Sequence, residues 1–193
     1  MRSRFTLPDD PDPDARSEAA TIGRMVVVSI AENAWERDIA DLLAICEAAA
    51  TEVLNHPRSG ADKAVGEVTI VLADDTTVQR LNRDFRGMDK PTNVLSFNAQ
   101  SPNVPGMDAA LGDVILGFET VERESRDFGI PLADHVRHLV VHGCLHLLGH
   151  DHENDREAEY MEALEAEILG RLGIPDPYRV REVPTETRPK DAI

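Results

Sequence analysis

The spacing of hydrophobic and polar positions predicts four strands and five helices. Runs typical of strands lie at 24–30, 67–72, 94–98 and 114–117. Apolar positions at helical spacing lie at 35–55, 75–86, 119–127 and 154–172, and in a helix that starts near residue 133. Asp75 or Thr76 is expected to cap the second helix. Because strands and helices are interleaved and most apolar faces are one-sided, we predict a single α/β (α+β) domain with a small mixed four-stranded sheet packed by helices.

The two ends of the chain differ from the middle in composition. Residues 1–22 carry several prolines among aspartates, and residues 179–193 are mostly polar and charged. Segments of this kind bury too little apolar surface to hold a fold. We therefore expect a flexible N-terminal extension at 1–22, one folded domain at 23–178 and a flexible C-terminal tail at 179–193.

Charge and composition limit the partners. A net charge of −16 repels nucleic acid over most of the surface, so any contact with it needs a local basic patch or the help of a partner. The acid-rich stretch 151–170 is interpreted as the solvated face of a helix. No apolar run approaches the ~20 residues that span a bilayer, and the chain does not begin like a signal peptide. The sequence thus favours a cytoplasmic protein without a membrane partner.

One short run carries the strongest chemical signal, from His142 to His152. His142 and His146 are four residues apart and share one helix face. His152 follows Gly149, a natural helix stop. Three imidazoles that converge in this way would hold a metal and leave a fourth position open, as catalytic zinc sites do. Histidines four apart also occur hydrogen-bonded in protein cores, but the third histidine and the glycine favour the metal.

Two neighbours compete for a place in this site. His150 would extend the histidine stripe if the helix continued, but Gly149 predicts that the helix ends, so His152 is the expected third ligand. Cys144 points about 200° away from His142 around the helix, which predicts a core residue. Imidazole ligands accept several divalent metals; one zinc ion per chain is the expected cofactor.

The residue after the first histidine separates two kinds of zinc enzyme. Zinc proteases with this histidine spacing place a glutamate there as general base, and this chain has Gly143. That difference counts against a metalloprotease. An acid or base could still come from Asp151, Glu153 or His150.

A second informative stretch, 81–97, gathers positive charge in an acidic chain. It contains Arg83, Arg86 and Lys90. Arginine makes bidentate contacts with phosphate and keeps its charge, so a phosphodiester could bind here. Basic residues that complement the end of a helix dipole would give the same pattern, and spacing alone leaves both interpretations open.

Three blocks in this order resemble the YbeY family of bacterial rRNA-maturation endoribonucleases. The run from His142 to His152 resembles the family signature His-Gly-x-Leu-His-Leu-x-Gly-Tyr-Asp-His. The stretch 81–97 resembles its Leu-Asn…Tyr-Arg…Asp-Lys-Pro-Thr-Asn-Val-Leu-Ser-Phe block, and 111–113 its Leu-Gly-Asp block. The resemblance covers about 25–178. His150 and Phe85 each stand where the family has tyrosine.

This resemblance implies a function and roles for individual residues. His142, His146 and His152 would be the zinc ligands, and Arg86 the catalytic arginine at a phosphate. The basic cluster itself predicts Arg83 and Lys90 as further substrate contacts. The implied activity is metal-dependent, single-strand-specific endoribonuclease cleavage in 16S rRNA 3′-end maturation and ribosome quality control. Single-stranded RNA, in particular ribosomal RNA, is the implied substrate. Small-subunit ribosomal proteins or assembly factors are the implied partners.

Two other functions remain compatible with the sequence. A non-catalytic ribosome assembly factor could use a structural zinc to secure the last helix, and its acidity would suit docking on basic ribosomal proteins. Removal of a structural zinc should unfold the domain, whereas a catalytic zinc on a preformed helix should leave the fold in place. A zinc metalloprotease is the third hypothesis.

Overall fold

The computed structural model describes residues 25–61, 66–99, 110–152 and 154–179. Its sheet contains the strands β1 (Met25–Ile30), β2 (Glu67–Ala73), β3 (Val94–Asn98) and β4 (Ala110–Gly117). The order across the sheet is β1-β2-β4-β3. β2 runs parallel to β1 and β4, and β3 runs antiparallel to β4. The predicted mixed four-stranded sheet is therefore confirmed, and β3 is an outer strand.

Six helices surround this sheet in the described part of the chain. They are α1 (Ala34–Asp38), α2 (Leu42–Asn55), α3 (Asp75–Arg86), α4 (Phe118–Phe128), α5 (Leu132–Leu147) and α6 (Asp155–Arg171). None of them is long and apolar enough to cross a membrane. The predicted extension at 1–22 and residues 180–193 of the predicted tail lie outside the described residues, as do residues 100–109 between β3 and β4.

The prediction of one continuous helix over 35–55 is wrong. The chain is extended at Ile39 and adopts a left-handed conformation at Asp41, with φ 56°, so α1 and α2 are separate helices. Trp35 is fully buried, and its indole Nε1 donates to the carbonyl oxygen of Ala73 at 3.0 Å. This tertiary contact fixes α1 at the end of β2 and overrides the local helical pattern.

The predicted cap of α3 is also corrected. Asp74 caps the helix, since its carboxylate accepts from the backbone N–H of Thr77 at 2.9 Å. Asp75, the expected cap, instead accepts from the backbone N–H and the hydroxyl of Thr120 at 3.1 and 2.7 Å. Thr76 is not the cap either. The first of two adjacent aspartates caps α3, and the second joins α3 to α4.

The largest core lies between the sheet and the helices α2 and α5. One side of α5 is buried, and it includes Val136, Val140, Gly143 and Leu147. Cys46 and Cys144 are buried in the same core. Burial raises the pKa of both thiols to about 12, so both stay protonated at neutral pH. The prediction that Cys144 is a core residue is confirmed.

Gly143 lets α5 approach the sheet closely. A Cβ atom at this position would lie 2.5 Å from Cγ1 of Val114 and 3.1 Å from the hydroxyl of Ser96. Val114 belongs to β4 and is fully buried, so it has little room to move. The position where zinc proteases carry a glutamate therefore lies against the sheet in this protein and has no space for one.

We expect Gly143→Ala to lower the free energy of unfolding. Overpacking a core costs about 1–3 kcal/mol, which exceeds the gain of up to about 1 kcal/mol from replacing glycine by alanine in a helix. The control is Gly170→Ala in α6, where a Cβ meets nothing within 4 Å; it should gain stability. Urea unfolding of both metal-free variants measures the difference. Equal stability of Gly143→Ala and the wild type would contradict this packing.

Candidate metal centre

Three histidines come together at the end of α5 and in the turn after it. The Nε2 atoms of His142 and His146 lie 3.1 Å apart. One ligand nitrogen from each of His142, His146 and His152 falls within 4.8 Å of the other two. Zn–N distances of about 2.0–2.1 Å in tetrahedral sites put ligand nitrogens roughly 3.4 Å apart. The spacing of this cluster is therefore close to that of a metal site.

The turn after α5 brings His152 back to the helix. The backbone N–H of Leu148 donates to Cys144, and that of His150 donates to Leu145. Gly149 has φ +86°, a left-handed conformation that glycine adopts without strain, and so reverses the chain. The prediction that the helix ends before this glycine is confirmed.

Hydrogen bonds on the outer side of two rings fix which nitrogen faces the cluster. Nδ1–H of His142 donates to a carboxylate oxygen of Glu165 at 2.8 Å, and Nδ1–H of His146 donates to the carbonyl oxygen of His150 at 3.0 Å. Each neutral ring therefore turns an unprotonated Nε2 inward. Histidine ligands of metals are commonly held in this way.

The electrostatics of the cluster fit a cation. Burial and the neighbouring imidazoles of His142 and His152 lower the pKa of His146, which keeps its ring neutral. A divalent ion placed between these two Nε2 atoms, which lie 3.1 Å apart, would be bound by a lone pair of each ring. Neutral imidazoles are also the form that binds metals such as zinc. The residues present therefore suit a divalent metal.

Glu165 is the main residue that sequence analysis missed. It is 1% exposed, and besides His142 it accepts from Nε2–H of His138 at 2.8 Å and from the hydroxyl of Tyr178. Burial alone would raise the pKa of this carboxyl, but the hydrogen bonds from the two histidines lower it to about 2. Glu165 is therefore ionised, and it links the metal cluster to α6.

The interpretation of the acid-rich stretch as a solvated helix face is wrong at Glu165. A signal was present in the sequence, because residue 165 follows Leu164 and lies four positions after Met161 and three before Ile168. These three apolar residues are buried. A glutamate within such an apolar helical stripe is expected to have a buried partner.

His150 does not join the cluster. Its Nε2–H donates to the carbonyl oxygen of Ser59 at 2.9 Å, and its ring stacks on Tyr160 with the centroids 5.8 Å apart. The side chain thus ties the turn to the loop after α2. Asp151 is engaged as well, since its carboxylate accepts from the backbone N–H of His152 at 2.8 Å. Glu153 lies outside the described residues.

Arg86 is the last residue of α3, and its side chain reaches the outer strand β3. Its guanidinium donates to the carbonyl oxygen of Ser96 at 3.1 Å, and the hydroxyl of Ser96 donates to the carbonyl oxygen of Gly143 at 3.1 Å. Arg86 is exposed and is joined through one residue to the backbone beside His142. The structure therefore links the predicted catalytic arginine, through β3, to the helix that carries His142 and His146.

The other two predicted substrate contacts, Arg83 and Lys90, lie on either side of Arg86 in the same segment. Arg83 is paired with Asp84 at 3.0 Å and with Asp89 at 4.0 Å. Lys90 is exposed, and its backbone carbonyl accepts from the side chain of Asn82 at 2.8 Å. Arg83 is thus partly neutralised by carboxylates, while Arg86 has only a carbonyl partner among its hydrogen bonds in the described chain.

Comparisons with known proteins assign the chain to a family. The family model described as Endoribonuclease YbeY matches residues 29–173. The chain belongs to the YbeY endoribonuclease family. A YbeY protein of Paramagnetospirillum magneticum is 51% identical over 162 residues, which cover 82% of this chain and 98% of that protein. One from Rhodospirillum rubrum is 49% identical over 164 residues, which cover 79% and 80%. The resemblance seen in the motifs is therefore confirmed across the YbeY-like domain.

We expect Glu165→Gln to weaken metal binding about 10- to 100-fold, the usual cost of losing a partner of a metal-bound histidine. The amide NH₂ of glutamine cannot accept a hydrogen bond, so either His138 or His142 loses its acceptor. The control is Glu162→Gln, which removes the same charge from an exposed site of α6. Competition with a chelator measures both affinities. Equal affinities of Glu165→Gln and the wild type would refute the orienting role of Glu165.

Proposed function

We propose that this protein is a metal-dependent endoribonuclease that cleaves single-stranded RNA. In this proposal His142, His146 and His152 hold one zinc ion, and Arg86 binds the phosphate at the cleaved bond. The observation that carries the proposal is the cluster of three imidazoles, joined through Gly143 of α5 and Ser96 of β3 to Arg86 at the end of α3, in a chain of the YbeY family. When bound, a divalent ion at such a site supplies Lewis acidity at neutral pH.

The protein's own residues would position the ion and the substrate. Glu165 and the carbonyl oxygen of His150 hold the two helix histidines in the tautomer that a metal requires. Arg86 carries several N–H donors and keeps its charge, so it can hold a phosphate and stabilise the charge that develops on it. His150, bonded to Ser59, is not needed as a ligand.

Charge supports the placement of RNA on the Arg86 side. A cavity of about 200 Å³ lies on the other side of His142 and is lined in part by Glu124 and Tyr178. Burial would raise the pKa of Glu124, but hydrogen bonds from His135 and Asn93 lower it, so this carboxylate is ionised. Phosphates are repelled from such a cavity, whereas Arg86 attracts them.

From the resemblance to the family we also propose a specific cellular role. The domain at 23–178 would act in 16S rRNA 3′-end maturation and ribosome quality control in the cytoplasm. The net charge of −16 disfavours tight binding to naked RNA. Basic small-subunit ribosomal proteins or assembly factors would then bring the enzyme to ribosomal RNA. Gly143, with no room for a side chain, argues against a protease.

We expect Arg86→Ala to lose RNA cleavage on the order of 100-fold, because removing one group that stabilises transition-state charge has effects of this size. Metal content should not change, because the hydrogen bond of Arg86 in the described part of the chain goes to the carbonyl oxygen of Ser96 and not to a histidine of the cluster. Cleavage of an end-labelled single-stranded RNA and elemental analysis measure the two effects. The control is Arg126→Ala, which removes an exposed arginine of α4. Full cleavage by Arg86→Ala would refute the role of this residue.

A further inference from the structure

Phe85 is the most exposed of the large apolar side chains in the described residues, at 71%. A single exposed apolar residue needs no explanation by itself. Phe85 differs in its surroundings, because it lies on α3 directly before Arg86, which is linked through Ser96 to α5.

The ring of Phe85 is held in place from one side. Its centroid lies 5.3 Å from that of Phe97 at an interplanar angle of 61°, an edge-to-face contact. Phe97 is half-buried and packs on the smaller core with Leu81. Aromatic pairs of this kind add about 0.5–1.5 kcal/mol beyond the area they bury. Phe85 is thus fixed by a neighbour while most of its ring remains open to solvent.

A positively charged side chain, that of Arg86, lies beside this aromatic pair. The guanidinium carbon of Arg86 lies 5.9 Å from the centroid of the Phe97 ring. Two aromatic rings and an arginine therefore form one surface, which we call the Phe85 platform and define as Phe85, Arg86 and Phe97. In a chain of net charge −16 this is an uncommon combination. An anionic ligand with flat rings suits it better than a cationic or purely apolar one.

The Phe85 platform is linked through β3 to the helix that carries two of the clustered histidines. Leu95 and Phe97 point to the α3 side of the sheet, while the hydroxyl of Ser96 reaches Gly143 on the α5 side. Arg86 bridges the two sides through the carbonyl oxygen of Ser96. A strand of RNA that places a phosphate at Arg86 would therefore have an adjacent nucleotide over α3.

We infer that Phe85 stacks on a nucleobase of single-stranded RNA, next to the phosphate held by Arg86. The inference rests on the proposed function and specifies how its substrate is recognised. Every base presents a flat π-face, so a phenyl ring binds bases without reading their hydrogen-bonding edges. The protein accordingly prefers unpaired over paired RNA at this position, because a paired base is stacked within its own helix.

The test is single-turnover cleavage of a short labelled RNA by the full-length, metal-loaded protein at increasing protein concentration. It yields a half-saturating concentration and a maximal rate for each variant. Phe85→Ala should raise the half-saturating concentration roughly 5- to 100-fold, the range of alanine substitutions at base-stacking residues. Phe85→Trp and Phe85→Tyr keep a flat ring and should stay near the wild type. The control is Leu43→Ala on α2, which removes another exposed apolar side chain, 49% exposed.

A second arm identifies the base as the group that Phe85 contacts. RNAs with one abasic nucleotide at successive positions are compared for the wild type and Phe85→Ala. One abasic position should weaken binding by the wild type and have little further effect on Phe85→Ala, since both changes remove the same contact.

The outcomes separate this inference from the proposed function. Wild type that cuts RNA, with Phe85→Ala indistinguishable from it, would overturn base stacking only. An equal effect of the abasic position on both proteins would do the same, and would leave a protein partner as the occupant of the Phe85 platform. Wild type that neither binds nor cuts RNA would overturn the proposed function and this inference together.

Discussion

The packing of α5 against the sheet is the constraint on which the site depends. Gly143 lets the helix approach Val114 closely, and the apolar side of α5 fixes its rotation. The opposite side then presents His142 and His146 in the same direction. Since the helix is held by buried apolar contacts, its position does not require a metal. That arrangement suits a catalytic metal on a preformed support better than a metal that holds the fold together.

Hydrogen bonds orient the histidine rings that α5 positions. Glu165 reaches from α6 to His142, and the backbone of the turn after Gly149 reaches His146, so two separate elements orient the two rings. The same turn carries His152 into the cluster and is tied to the loop after α2 by His150. The sheet edge contributes Arg86 through Ser96. Four parts of the fold thus contribute to the site, although each is stabilised by contacts outside it.

Local patterns in the sequence predicted most elements and the histidine cluster, because helix period, glycine turns and ligand spacing act over short distances. Long-range contacts explain the errors. The anchoring of Trp35 to Ala73 splits the first predicted helix, and the bonds between Asp75 and Thr120 leave Asp74 as the cap. Glu165 was overlooked since its two histidine partners lie more than 20 positions away on another helix. The edge-to-face contact of Phe85 with Phe97 had no local signal either.

The most direct test of the central claim measures metal content and single-stranded RNA cleavage together in the wild type, His146→Ala and His150→Ala. The account predicts one divalent metal per chain and cleavage in the wild type, loss of both in His146→Ala, and retained metal in His150→Ala, whose ring bonds to Ser59. Wild-type metal and cleavage in purified His146→Ala would contradict the account. So would a wild type that carries the metal and shows no cleavage above a nuclease-free blank.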